Sequence, residues 1–99
     1  MTEELLNLTA EIRALIAAPR APLQQLEDTL TTGYVRALEL EAERGRLERR
    51  IGEMAAAGRA GHAGELAELS ERVCAAEDDL ARLRDLLAEL RDRAAAARV

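Results

Sequence analysis

The side chains that most often carry chemistry are few in this sequence. There is one histidine, His62, and one cysteine, Cys74. His62 stands among Gly58, Gly61 and Gly64 with only alanine and Arg59 beside it. A triad or a helical metal site needs organised partners, so a solvated loop histidine is expected. Arg59 occupies the position where a Glu-x-x-His di-metal motif would require glutamate. Cys74 lacks the flanking His or Arg pattern that lowers a thiol pKa. It reads as a small side chain facing solvent, with a redox contact across a dimer as the alternative. Glu39, Glu41 and Glu43 fan around a helix, and only Glu39 and Glu43 share a side. Without a buried site they make a solvated acidic face, not an acid/base pair. The run GRAGHAG (58–64) has no lysine and no preceding strand, so it is not a phosphate-binding loop. Arg49-Arg50 and Arg82 with Arg84 are small basic spots balanced by nearby acids. No catalytic residue, cofactor or metal site is expected, and the chain is read as no enzyme.

Composition narrows the class further. The 99 residues include one tyrosine and no Trp or Phe, while 48% are apolar and 33% charged. A chain rich in Ala, Glu, Leu and Arg is the material of long helices and coiled coils. β-branched residues are too sparse for a sheet. The net charge of −5 argues against nucleic acid or anionic lipid as partner. All basic residues are arginine apart from His62. A single cysteine allows no internal disulfide. No apolar run reaches the roughly 20 residues of a membrane span. The acidic start Met1-Thr2-Glu3-Glu4 leads to no signal-type apolar core. A cytoplasmic location is the expectation.

The elements follow from periodicity. In residues 1–18, Leu5, Leu8, Ile12 and Leu15 recur at steps of three and four, with Leu6 and Ile16 beside them. This predicts a short amphipathic helix capped by Thr2 and ending near Ala17, before Pro19. Residues 19–22 form a stiff proline-containing connector. From Leu23 a heptad seam runs through positions 23, 26, 30, 33, 37, 40, 44, 47, 51 and 54. It passes Thr31-Thr32-Gly33 without a skip, so one continuous helix is expected there. AAAGRAGHAG (55–64) reads as a hairpin loop. A second seam then runs through 66, 69, 73, 76, 80, 83, 87, 90, 94 and 97, apolar at every position.

Folding the two seams against each other predicts an antiparallel coiled-coil hairpin over residues 23–99. Its layers run from Met54–Leu66 through Leu47–Val73, Arg44–Ala76, Leu40–Leu80 and Gly33–Leu87 to Leu23–Ala97. Small residues meet large ones, as knobs-into-holes packing requires. Gly33 is therefore read as room for Leu87, and Arg44 as lying across Ala76 toward Glu48 or Glu41. The flanks fit less well. Arg50 faces Arg72, Glu43 faces Asp79, and Glu41 faces Glu77. Glu27–Arg91 is attractive, and Tyr34 with Arg84 suits a cation–π contact. Within the last helix Glu68–Arg72, Asp78–Arg82 and Glu89–Arg93 have the favourable spacing of four.

One stripe per helix is thin support for a small chain. Val35 and Leu38 lie off the seam, continued by Ala42, with Tyr34 beside them and Leu86 on the other long helix. This patch calls for a cover: the first helix folded back, a second copy of the chain, or both. The expected fold is thus all-α, a short helix plus a long hairpin that dimerises into a helical bundle. The expected function is non-enzymatic: a protein–protein interaction or scaffold protein that self-associates as a homodimer and can dock another protein. Leu5, Leu8, Ile12, Ile16, Tyr34, Val35, Leu38 and Leu86 are the residues expected to carry it. The alternative is a small regulator, an anti-activator or chaperone-like hairpin, that sequesters a partner through an exchangeable first helix.

Overall fold

The computed structural model describes residues 2–58 and 63–99. Among these residues the chain forms three helices and no strand: α1 (Glu3–Ala17), α2 (Leu23–Ala57) and α3 (Ala63–Ala97). The readings that fall on His62 and Gly61 lie outside the described residues. The helices run side by side in a rod of 59 × 19 × 15 Å. Most of that length, about 52 Å, is what a 35-residue helix supplies at about 1.5 Å per residue.

Each end has a local cause. Thr2 Oγ1 accepts a hydrogen bond from the Leu5 amide at 3.2 Å, and Glu3 and Glu4 fill the first turn. An amide left open by the helix start is thereby satisfied, and acidic side chains meet the positive end of the dipole. Ala18 is extended, as a residue before proline prefers. α2 opens directly after Pro22 and closes at Gly58, whose φ of 57° is the left-handed cap conformation that glycine adopts without penalty. The loop between the long helices is shorter than residues 55–64. Ala55–Ala57 complete α2, and Ala63 and Gly64 already belong to α3. Alanine is the best helix former, so alanines beside a turn extend the helix instead of the loop.

α2 continues unbroken through Thr31-Thr32-Gly33. The two threonine hydroxyls donate back to the carbonyls of Glu27 and Asp28, each at 3.1 Å, one turn earlier. Their polar atoms are thus satisfied inside the helix instead of competing with it. Gly33 is buried against α3. A Cβ there would run into Leu87 Cδ2 and would lie 3.4 and 3.6 Å from Leu87 Cγ and Cδ1. The missing side chain is the space that Leu87 fills.

The interior is a line of Leu and Ala. Leu26, Leu30, Ala37 and Leu40 of α2 are buried together with Leu80, Leu83, Leu87, Leu90 and Ala94 of α3. Ala97, at the outer end of the line, is exposed, and its opposite number Leu23 is half-buried. Polar side chains tie α2 to α3 in opposite directions: Arg50 to Glu65 at 3.3 Å, Arg98 to Glu27 at 3.6 Å, and Arg84 to Glu41. These pairs replace those expected from positions directly opposite. Arginine reaches diagonally by about a helical turn, so Arg50 finds Glu65 instead of resting against Arg72. Glu41 likewise takes Arg84 instead of facing Glu77, and Glu27 takes Arg98. Arg44 lies toward Glu48 at 3.6 Å.

Two glycines should answer oppositely to alanine. Gly52→Ala meets nothing within 4 Å, so it should stabilise by roughly 0.5–1 kcal/mol through helix propensity. Gly33→Ala should destabilise, because overpacking at about 1–3 kcal/mol outweighs the same gain. In a Leu87→Ala background the sign at position 33 should reverse. Urea denaturation of the four single and double variants measures this. A Gly33→Ala protein as stable as wild type in both backgrounds would remove Leu87 as the reason for the glycine.

Candidate functional site

The side chains expected to form an interaction surface separate into two groups. The first is used inside the chain. α1 folds back along the hairpin, antiparallel to α2 and parallel to α3. At its start, Thr2 and Leu5 share a crevice with Leu40 and Ala76. Midway, Thr29 donates to Glu11 at 3.3 Å. At its end, Arg93 donates to the carbonyls of Ala18 and Pro19, both at 2.9 Å. Leu5, Ile12 and Leu15 enter the core, and Leu8 and Ile16 pack half-buried against it. Leu86 is half-buried there too. It sits one heptad from Asp79, which lines the crevice at the α1 start, and one heptad from Arg93, which holds the α1 end. That spacing puts Leu86 on the side of α3 that α1 covers. It is therefore not continuous with Val35 and Leu38.

The seat of α1 is partly polar. Thr9 and Thr29 are buried. The Thr9 hydroxyl is satisfied by the Leu6 carbonyl at 3.0 Å. The buried Arg36 Nε has no hydrogen-bond partner, although its Nη1 holds Glu39 at 2.9 Å. An interface of this kind is bound less tightly than an all-leucine seam of the same size, since each buried polar group gives up water.

The second group is outside. Val35 is 51% exposed, Leu38 64% and Tyr34 43%. Tyr34–Leu38, Val35–Leu38 and Leu38–Ala42 are spaced by three or four, so they form one ridge along α2. The ridge has a groove on each flank. On the α3 side, Tyr34, Leu38 and Ala88 border about 410 Å³ of space edged by Arg84 and Arg91. Tyr34 and Arg84 thus share a groove, while the guanidinium itself is held by Glu41. On the α1 side, Val35 and Leu8 border about 380 Å³ with Thr31, Thr32 and Glu39. Such a surface binds by burying apolar area and reading charge at its rim. Cys74 is exposed, and among the described residues no group of three or more His, Cys, Asp or Glu side chains could hold a metal ion.

Reading the sequence missed Arg93 and Thr29. A spacing of four points Arg93 to Glu89, and only the position of the proline connector reveals the carbonyls it bonds. Thr29 lies one residue off the seam and carried no apolar signal. Comparisons with protein-family models, with curated proteins and with solved structures each found no match.

Arg93→Ala should release the end of α1. Hydrogen bonds to charged groups contribute about 1.5–3 kcal/mol, and partial exposure places this one at the lower end. Amide exchange in α1 should speed up about tenfold or more while the central turns of α2 and α3 stay protected. Uniform exchange changes across all three helices would show that α1 does not open by itself.

Proposed function

We propose that this chain is a non-enzymatic interaction protein that associates with itself through helix faces, the hairpin of α2 and α3 serving as an antiparallel coiled-coil rod. One observation carries the reading. With α1 folded back and the core closed, Val35, Leu38 and Tyr34 are still exposed as a single ridge on α2. The intramolecular cover reaches Leu86 and leaves this ridge uncovered. Contiguous apolar side chains on a helix, rimmed by charge, are the usual form of a helix-docking surface.

The seat of α1 favours a second reading, a regulator that exchanges α1 for a partner helix. Its observation is the polar seat itself: buried Thr9 and Thr29, an unpaired Arg36 Nε, and a connector held by one arginine. A partner helix with apolar residues at those positions would compete favourably with α1. Under this reading proteolysis at residues 18–22 rises when partner binds; under self-association it does not.

The self-association reading predicts a concentration-dependent mass by light scattering or sedimentation. Val35→Ala with Leu38→Ala should weaken dimerisation by ~10-fold or more, given about 0.8 kcal/mol per buried methylene and 1.4 kcal/mol per decade. Helix content should not change, because both residues are exposed. A wild-type chain that stays monomeric at the highest attainable concentration would remove the reading.

A further inference from the structure

The outer face of α2 carries charge in an ordered way, and the order says what can lie on it. Before the ridge come Glu27 and Asp28; after it come Arg46 and Arg49. Asp28, Arg46 and Arg49 are exposed and Glu27 is half-buried, reaching toward Arg98. Between the two ends lie Thr31, Val35, Leu38 and Ala42, all exposed. Spaced by four and three, they make a second seam, facing away from α3. A surface with acid at one end, base at the other and apolar residues between complements its own reverse. We propose that two copies of the chain pair along this face, α2 against α2 and antiparallel, with Val35 of each copy against Leu38 of the other. The proposal rests on the self-association reading and gives it a register.

That register sets Thr31 against Ala42, so a medium side chain meets a small one on either side of the central Val–Leu layers. It sets Asp28 against Gly45, and brings Glu27 and Arg46 to one level on the two flanks of the seam. Gly45 is an interior helix residue with no need of a turn. The Arg49 side chain lies over it, Nη1 being 3.4 Å from where a Cβ would stand. The guanidinium therefore already occupies the level at which Asp28 of the second copy would arrive. By symmetry each of these contacts occurs twice.

Competing arrangements fail on the same residues. A parallel pair would set Glu27 on Glu27, Asp28 on Asp28 and Arg49 on Arg49. Like charges across helices destabilise. Sliding the antiparallel pair by one heptad in one direction leaves Val35 against Gly45, and in the other sets Asp28 against Leu38. Of these arrangements only the Val35–Leu38 register brings acid level with base at both ends. The matched surface is a single helix face, near the low end for specific interfaces. Its association is therefore reversible and weakened by salt.

Two measurements test this on the full chain in a Cys74→Ser background. In the first, Thr31→Cys and Ala42→Cys variants are oxidised separately and mixed. The mixture should form a covalent dimer and neither variant alone should. Like positions lie about 16 Å apart along the axis at 1.5 Å per residue, too far for a disulfide. Covalent dimers from either variant alone would overturn the register while leaving self-association standing. In the second, Glu27→Arg with Asp28→Arg is one variant and Arg46→Glu with Arg49→Glu the other. Each alone should lose dimerisation at least tenfold by sedimentation at low salt, and an equimolar mixture should regain it. Dimerisation of either variant alone at wild-type strength would overturn the charge pairing. A wild-type chain monomeric at every concentration would overturn both the pairing and the reading beneath it.

Discussion

The contact on which the rest of the molecule depends is leucine packed into the space left by a smaller residue across the line between α2 and α3. The sequence has no Phe or Trp, so no large ring is available to bridge a wide gap between helices. Leucine fills the gap only if the backbones come close, and they come closest where one side is small. Gly33 under Leu87 is the extreme case, where even a methyl group would collide. Ala37, Ala76 and Ala94 are buried on the same principle. A glycine in mid-helix weakens local helix formation, and the gain from seating a fully buried leucine at about 1.5–3 kcal/mol exceeds that cost. Keeping this match in phase requires two helices of equal length without a kink. The rod shape, the place where α1 can rest and the direction in which the α2 ridge points all follow.

How much of this could be read from residue order depends on the range of the interaction concerned. The long helices and their continuity through Gly33 were legible because a seam of period 3.5 repeats the same information many times, so no single residue decides it. Helix ends depend on one or two residues, and the alanines at 55–57 and 63 went to helix on propensity. The seat of α1 was not legible. Its apolar stripe says that it must be covered, and says nothing of whether the same chain or another does so. Arg93, Thr29 and Glu11 settle the choice in this structure, and none of them is apolar. Flank charges were the least legible. Residue levels along two helices are set by backbone geometry, whereas a guanidinium on its flexible stem selects among several carboxylates.

Folding α1 back makes the two ends of the rod unequal. Around Leu26, Leu30, Leu87 and Leu90 three helices enclose the core, and Leu26 and Leu90 are fully buried. Toward the loop only α2 and α3 remain. There Leu47 and Leu69 are buried, while Ile51, Met54, Leu66 and Val73 are half-buried. Fewer apolar contacts and more solvated backbone mean a lower free energy of local opening. The three-helix end thus acts as the clamp that keeps the two-helix end in register. Arg50 with Glu65, exposed and screened, adds little to that task.

The outward faces of the two long helices differ in a way that packing within the chain does not require. On α3 the exposed positions around Glu71, Cys74, Asp78, Ala81, Asp85, Glu89 and Asp92 are small or charged. Such residues keep a helix stable in water and offer nothing to bind. On α2 the corresponding surface holds Val35 and Leu38 at mid-length. Exposed leucine alone is ordinary on protein surfaces. Exposed valine in a helix is less so, since its branched side chain loses rotamer freedom against the preceding turn and lowers helix propensity. An alanine or glutamate at position 35 would make a better free helix. Valine gains only when something lies against it, and its neighbours along the same face are the ones whose charges match their own reverse order. The side of the rod with the poorest residues for a solitary helix is the side with the best residues for a paired one.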